Sequence, residues 1–219
     1  MKSIVALVVG VLALAGVAQA QTPASTASGP SLGYIEGIAQ ASFGNVTSQS
    51  YGAEAGYRLT TILDVFVEGG WTKDVAPSEM GTAAGQIAGY LTTSGQSNVS
   101  YKVKQPVGFG QTGVRIEIPM PSSRLTPYAM AGVGFARVKQ DVTFYINGAD
   151  VTSNLSQYGV VLGSDLAGQE TKAMVTVGGG VQCPLASRLL LDLQVRYGRI
   201  FTDPGTNVAR AGVGFGIRF

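Results

Sequence analysis

The chain contains no histidine, so the side chain that most often acts as a general base at neutral pH is missing. A His-dependent serine hydrolase is excluded on that ground. The carboxylates that could still do acid–base work include Glu36, Glu54, Asp64, Glu68, Glu117 and Asp192. They are dispersed along the chain instead of gathering around one motif. Cys183 is the sole cysteine, which rules out an intramolecular disulfide and reads as a small apolar strand residue. No metal-ligand spacing occurs. Gly178, Gly179 and Gly180, and the later Gly212, Gly214 and Gly216, sit inside alternating segments, so they do not read as phosphate-cradling loops. The expectation is therefore no enzyme, no cofactor and no metal. Lysine and arginine number 15 against 13 acidic residues, with no basic stripe, so nucleic acid is not expected as a partner.

The elements that carry those charges alternate with period 2. In Val208 to Phe219, Ala209, Ala211, Val213, Phe215, Ile217 and Phe219 share one face, opposite Arg210, Gly212, Gly214, Gly216 and Arg218. Seven earlier segments repeat the pattern: Tyr34 to Phe43, Tyr51 to Leu59, Leu63 to Trp71, Gln105 to Ile118, Thr126 to Lys139, Lys172 to Cys183 and Leu189 to Arg199. Segments of about ten residues with one apolar face are the signature of transmembrane β-strands. Short turns at Thr60 to Ile62, Pro119 to Leu125 and Pro184 to Arg188 alternate with Gly44 to Ser50, Thr72 to Lys104, Gln140 to Thr171 and Ile200 to Asn207. This order predicts an all-β fold: a closed antiparallel up-and-down transmembrane barrel of eight strands, with short periplasmic turns and long extracellular loops. Charged residues make up 13% of the chain, about half the share usual in soluble domains.

Parity sends Glu36, Glu54, Asp64, Glu68, Glu117 and Asp192 into the barrel, together with Arg58, Arg115, Lys172, Arg196, Arg210 and Arg218. Unpaired charge in a narrow interior is costly, so this balance predicts mutual pairing in a network that plugs the lumen, with a narrow polar pore as the alternative. Phe43, Tyr51, Trp71, Phe135 and Tyr197 at one end of the lipid face, and Tyr57, Phe215 and Phe219 at the other, form interfacial girdles. Arg137, Lys139 and Arg199 face outward just above the external girdle, where lipopolysaccharide phosphates would meet them. Within the third external loop, Asp141 to Thr152 reads as a hairpin turning at Asn147 and Gly148, which would extend the fifth and sixth strands beyond the membrane. A ten-stranded barrel built from those residues is the less favoured alternative, because Asp141, Asn147 and Asp150 would lie at membrane depth.

At the N-terminus, Lys2, the apolar run from Ile4 to Val17 and the small residues Ala18 and Ala20 around Gln19 form a secretory signal cleaved after residue 20. A flexible leader (21–32) and a barrel domain (33–219) follow. The stretch Thr126 to Phe135 and the ending Gly212 to Phe219 resemble the small OmpA-like, opacity-type outer-membrane β-barrel domains over Gly33 to Phe219. That resemblance implies Gram-negative outer-membrane localisation. It also implies that the barrel-assembly machinery reads Val213, Phe215, Ile217 and Phe219 during insertion. Unlike the full OmpA type, the chain is expected to stop at the barrel, without a peptidoglycan-binding domain. Two functions stay open: a structural and surface-interaction protein whose loops 72–104 and 140–171 meet an extracellular ligand, or a narrow passive channel for small or apolar solutes.

Overall fold

Ten strands form in chain order: β1 (Gly33–Phe43), β2 (Ser48–Arg58), β3 (Leu63–Thr72), β4 (Val99–Lys104), β5 (Val107–Glu117), β6 (Thr126–Ile146), β7 (Ala149–Asp150), β8 (Ala167–Pro184), β9 (Leu189–Ile200) and β10 (Thr206–Arg218). A computed structural model describes residues 32–120, 123–203 and 205–219. The expected signal (1–20) and all of the leader except Leu32 lie outside the described residues. Eight strands pair antiparallel in the ring β1-β2-β3-β5-β6-β8-β9-β10, and β1 closes it by pairing with β10 from Tyr34 opposite Arg218 to Phe43 opposite Ala209. Closure removes every sheet edge, so the backbone groups of the ring are satisfied without water. Two strands stand outside it: β4 pairs with the far end of β6, and β7 pairs with Tyr145 and Ile146. No helix among the described residues is long and apolar enough to cross a membrane.

Both described chain ends lie at one end of the barrel, where Leu32 and Gly33 donate backbone hydrogen bonds to the Phe219 carbonyl. Turns 59–62, 118–125 and 185–188 share that end. The opposite end carries 44–47, 73–106, 147–166 and 201–205. The expected strict alternation of short and long connections is thus corrected. The 44–47 connection is as short as the 59–62 turn, and the asymmetry rests on the two long loops alone.

Those loops are folded. The stretch expected as a polar loop contains helix α1 (Ser78–Thr93), whose buried Met80, Ala84, Ala88 and Leu91 recur at helical spacing. Three glycines at four-residue intervals, Gly81, Gly85 and Gly89, weaken its intrinsic propensity, so packing must hold it. It packs on Val142 and Phe144 of β6, on Leu155 of a 3-10 helix (Thr152–Tyr158), and on Val160 and Leu166. The Asn147–Gly148 turn forms as expected, with both residues at positive φ (49° and 80°). Its extent needs correction. The returning strand is only β7, and β4 is the partner of β6 over 141–146. Asp150 ends the hairpin by accepting from the Thr152 hydroxyl and amide (2.6 and 2.9 Å), which start the 3-10 turn. The hydroxyl contact leads in holding its carboxyl below the usual carboxylate range.

Candidate functional site: lumen and loop end

The barrel is apolar outside and polar inside. Val67, Val133, Phe135, Val195, Phe215 and Ile217 point outward and are about half exposed or more, while Glu36, Glu54, Arg115, Asp192 and Arg196 are buried within. A continuous apolar belt of this kind is too large for a surface facing water. Of the aromatics assigned to the girdles, Tyr51, Tyr57, Trp71, Phe135, Tyr197, Phe215 and Phe219 are exposed, and Phe43 is half-buried.

The charged interior is built around two guanidiniums. Arg115 of β5 reaches Glu54 (2.6 Å), Asp192 (3.5 Å) and Glu36 (3.7 Å). Arg196 of β9 reaches the other Glu54 oxygen (2.7 Å) and Glu68 (2.5 Å). Separate strands across the ring are thereby joined through one carboxylate. Tyr34 donates to Glu54 (2.6 Å), and Tyr128 donates to Asp192 (2.9 Å to the nearer oxygen). Their rings flank Arg115, whose guanidinium carbon lies 4.6 and 3.9 Å from the two centroids. Arg210 contacts Glu68 (3.5 Å) and stacks on Phe109, and Gln111 also donates to Glu68. Nearer the chain ends, Arg58 pairs with Asp64 (3.1 Å) and Glu117 (2.5 Å), while Arg218 donates to Gln182 (2.6 Å). Glycines make room for the aromatics: a Cβ at Gly56 would fall 2.1 Å from Tyr34, and one at Gly180 would fall 2.6 Å from the Tyr128 hydroxyl.

Eleven of the twelve charges sorted inward meet in or beside this network; Lys172 does not. It has the inward parity but lies near the mouth, over one-third exposed, where it pairs with Glu170 (3.0 Å). The lumen therefore holds six carboxylates against five guanidiniums, not six against six.

Above the charged layer the interior turns apolar. Val75 from the β3–β4 connection drops into the mouth against Val107, Ala136, Val138, Met174, Ile200 and Val208. Alternation alone does not announce this layer, because it is apolar on the face that elsewhere carries the charges. Val138, Met174, Ile200 and Val208 occupy the same inward parity near the loop ends of their strands. Between these layers the free space is small, about 10 Å³ beside Phe109 and Arg210. Beyond the apolar layer, between the loops, opens a cleft of about 400 Å³.

Arg137, Lys139 and Arg199 are exposed on the outward face, on β6 and β9. They are not gathered into one pocket. Arg137 lies against the Gln169 amide, Lys139 pairs with Asp141 (3.5 Å), and Arg199 donates to Asn207 (3.2 Å). Val213, Phe215, Ile217 and Phe219 all face outward, between 44% and 57% exposed. Among the described residues, no cluster of three potential ligands could hold a metal ion.

The model of the outer membrane protein beta-barrel domain family matches residues 9–219. No curated protein matches the sequence. In fold the chain is similar to Neisserial surface protein A, with a TM-score of 0.54, 16% identity, and coverage of 88% of this chain and 100% of that one. It is similar to a major outer membrane protein from Thermus thermophilus, with a TM-score of 0.55, 11% identity, and coverage of 85% and 99%. The N-terminal β-barrel domain of Pseudomonas aeruginosa OprF gives a TM-score of 0.47 at 17% identity over 84% and 96%.

Proposed function

The chain belongs to the outer membrane protein beta-barrel domain family, and from that premise we propose that it is a closed, non-enzymatic barrel of the Gram-negative outer membrane that acts through its loop end. The observation that carries this reading is the filled lumen beneath a folded loop layer. Arg115 and Arg196 are wholly buried in ion pairs, and Val75 with its apolar neighbours lies above them. An ion entering would have to break contacts whose loss leaves uncompensated charge, at a cost of about 3–5 kcal/mol each. The loop layer has its own core around Leu91 and Phe144, so its outer surface is preorganised, which lowers the entropic cost of binding.

In this reading the loop end is extracellular and the end holding the described termini is periplasmic. Lipid surrounds the apolar belt, lipopolysaccharide phosphates meet Arg137, Lys139 and Arg199, and the barrel-assembly machinery engages β10 through its outward residues up to Phe219. The chain is exported with cleavage of residues 1–20. The test is conductance: purified protein in planar bilayers should give no stable channel, and solute-uptake rates of proteoliposomes should match empty vesicles. A large steady conductance would favour the passive channel instead.

A further inference from the structure

β4 is paired on one side only. Its partner is β6, from Val99 opposite Ile146 to Lys104 opposite Asp141, and no strand among the described residues pairs with its other edge. β4 and β5 face β6 in one unbroken register through Pro106, whose carbonyl accepts from the Lys139 amide (3.0 Å). Eight residues back, the Asn98 carbonyl accepts from the Asn147 amide (3.2 Å). Antiparallel pairing alternates, so the even-numbered residues of β4 turn their backbone groups to β6, while Val99, Tyr101 and Val103 turn theirs away. Gln105 keeps the same parity: its amide donates to Asp74 (2.9 Å) and its carbonyl accepts from the Val75 amide (3.0 Å). Those two contacts close the edge toward the barrel. Beyond them, three N–H and three C=O groups stand in a row where β3 has left the sheet, its last pair there being Thr72 with Val107. Such an edge is a template for another strand.

The side chains that flank the edge set what fits it. On the outward face, Lys102 and Lys104 carry the charge of β4, which has no acidic residue. Lys73 is exposed close to where β3 departs. Asp141, opposite Lys104, is taken by Lys139 (3.5 Å), and Asp74 is turned onto the Gln105 and Ala76 amides (2.9 and 3.0 Å). The outward side of the edge is therefore basic. On the other face, Val99 and Val103 pack on the loop core, and Tyr101 stays 42% exposed beside Phe144, with ring centroids 6.3 Å apart. That side is apolar. A second copy is a poor occupant, because two barrels held in one membrane share the direction of their strands along its normal. Their β4 edges cannot meet antiparallel, and a parallel meeting sets lysine against lysine.

We propose that the β4 edge takes up, as an added strand, an extended peptide segment of a partner protein that alternates acidic and apolar residues. Its acidic side chains lie beside Lys102 and Lys104 and its apolar ones beside Tyr101, while main-chain hydrogen bonds to Val99, Tyr101 and Val103 supply the affinity. This inference rests on the loop end being the interacting surface, and it does not depend on whether the lumen conducts.

The test is fluorescence anisotropy of a labelled synthetic peptide of four Val-Glu repeats, titrated with the full refolded chain in nonionic micelles at low ionic strength. Four Val-Lys repeats, and the Val-Glu peptide with proline at its two central valines, are the controls. The Val-Glu peptide should bind saturably, at least ten-fold more tightly than either control, and slow the amide exchange of Val99, Tyr101 and Val103 at least ten-fold. Lys102→Glu/Lys104→Glu should weaken it at least ten-fold and turn the preference to the Val-Lys peptide. Val103→Pro removes one outward N–H without touching the pairing with β6, and should weaken binding several-fold. Retention of the heat-dependent gel shift and of exchange protection within 78–93 shows that each variant still folds. Absence of saturable binding, equal affinity for the Val-Lys peptide, unchanged exchange of the three amides, or wild-type affinity in the charge variant would overturn the proposal. So would concentration-dependent dimerisation abolished by Val103→Pro, which would assign the edge to a second copy. Those failures would leave the plugged-barrel reading intact, because conductance reads it separately.

Discussion

Glu54 accepts from Arg115, Arg196 and Tyr34 at 2.6–2.7 Å, so both central guanidiniums depend on it. Glu36 lies in the same layer but accepts no hydrogen bond from the described residues, and Arg115 is 3.7 Å away. The two carboxylates should respond differently to neutralisation. Glu54→Gln removes the carboxylate charge that two buried guanidiniums share, leaving Arg115 only its longer contacts to Asp192 and Glu36, and should lower unfolding stability by about 3–5 kcal/mol, measured by urea titration in lipid vesicles. Glu36→Gln removes one member of an acid-rich layer and should cost less than about 1 kcal/mol. Equal losses would contradict the unequal roles read from the geometry. On the outer face, Arg137, Lys139 and Arg199 each meet a polar neighbour on one side and solvent beyond. Replacing all three by alanine should reduce lipopolysaccharide co-purification without altering the barrel. An unchanged lipid content would remove them as phosphate contacts.

The strands are shaped by what their glycines make room for. Gly56 lies under Tyr34, and a methyl group there would overlap the ring at 2.1 Å. Gly56→Ala should push Tyr34 off Glu54 and destabilise the barrel by about 1–3 kcal/mol. At Gly37, on the outward face of β1, a Cβ meets nothing within 4 Å. Gly37→Ala should stay within about 0.5 kcal/mol in the same urea titration. The loop layer hangs on a different element. Phe144, at the membrane-distal end of β6, is fully buried against the residues that hold α1. Phe144→Ala should lose about 3–5 kcal/mol of local packing, enough to open α1 to hydrogen exchange and proteolysis within 78–93. Protection of the ring strands should be unchanged, since the ring does not draw on that core.

As a whole the molecule is a ring without an edge, filled at two levels and capped by a small folded layer. A closed ring resists detergent until heated, so unheated and boiled samples should migrate differently on a denaturing gel. A single position under both conditions would contradict closure. The ring was legible in the sequence because its signal is local: Val213, Phe215 and Ile217 face one way and Gly212, Gly214 and Gly216 the other. The charge balance of the lumen was not legible there: six carboxylates face five guanidiniums, where six against six were expected. Parity assigns a face but no height, and height along the barrel is what separates Lys172 from the network.

The sequence by itself determined that this chain crosses a membrane as β-strands and which face of each strand looks inward. Each of those follows from neighbours one or two residues apart. Only the tertiary structure decided that the long loops form a helix-bearing layer and that Val75 and its neighbours close the mouth. Met80, Phe144 and Leu155 come from three separate stretches, none of them apolar enough to announce a core alone. Their burial exists only once closure of the ring brings those stretches to the same end of the barrel.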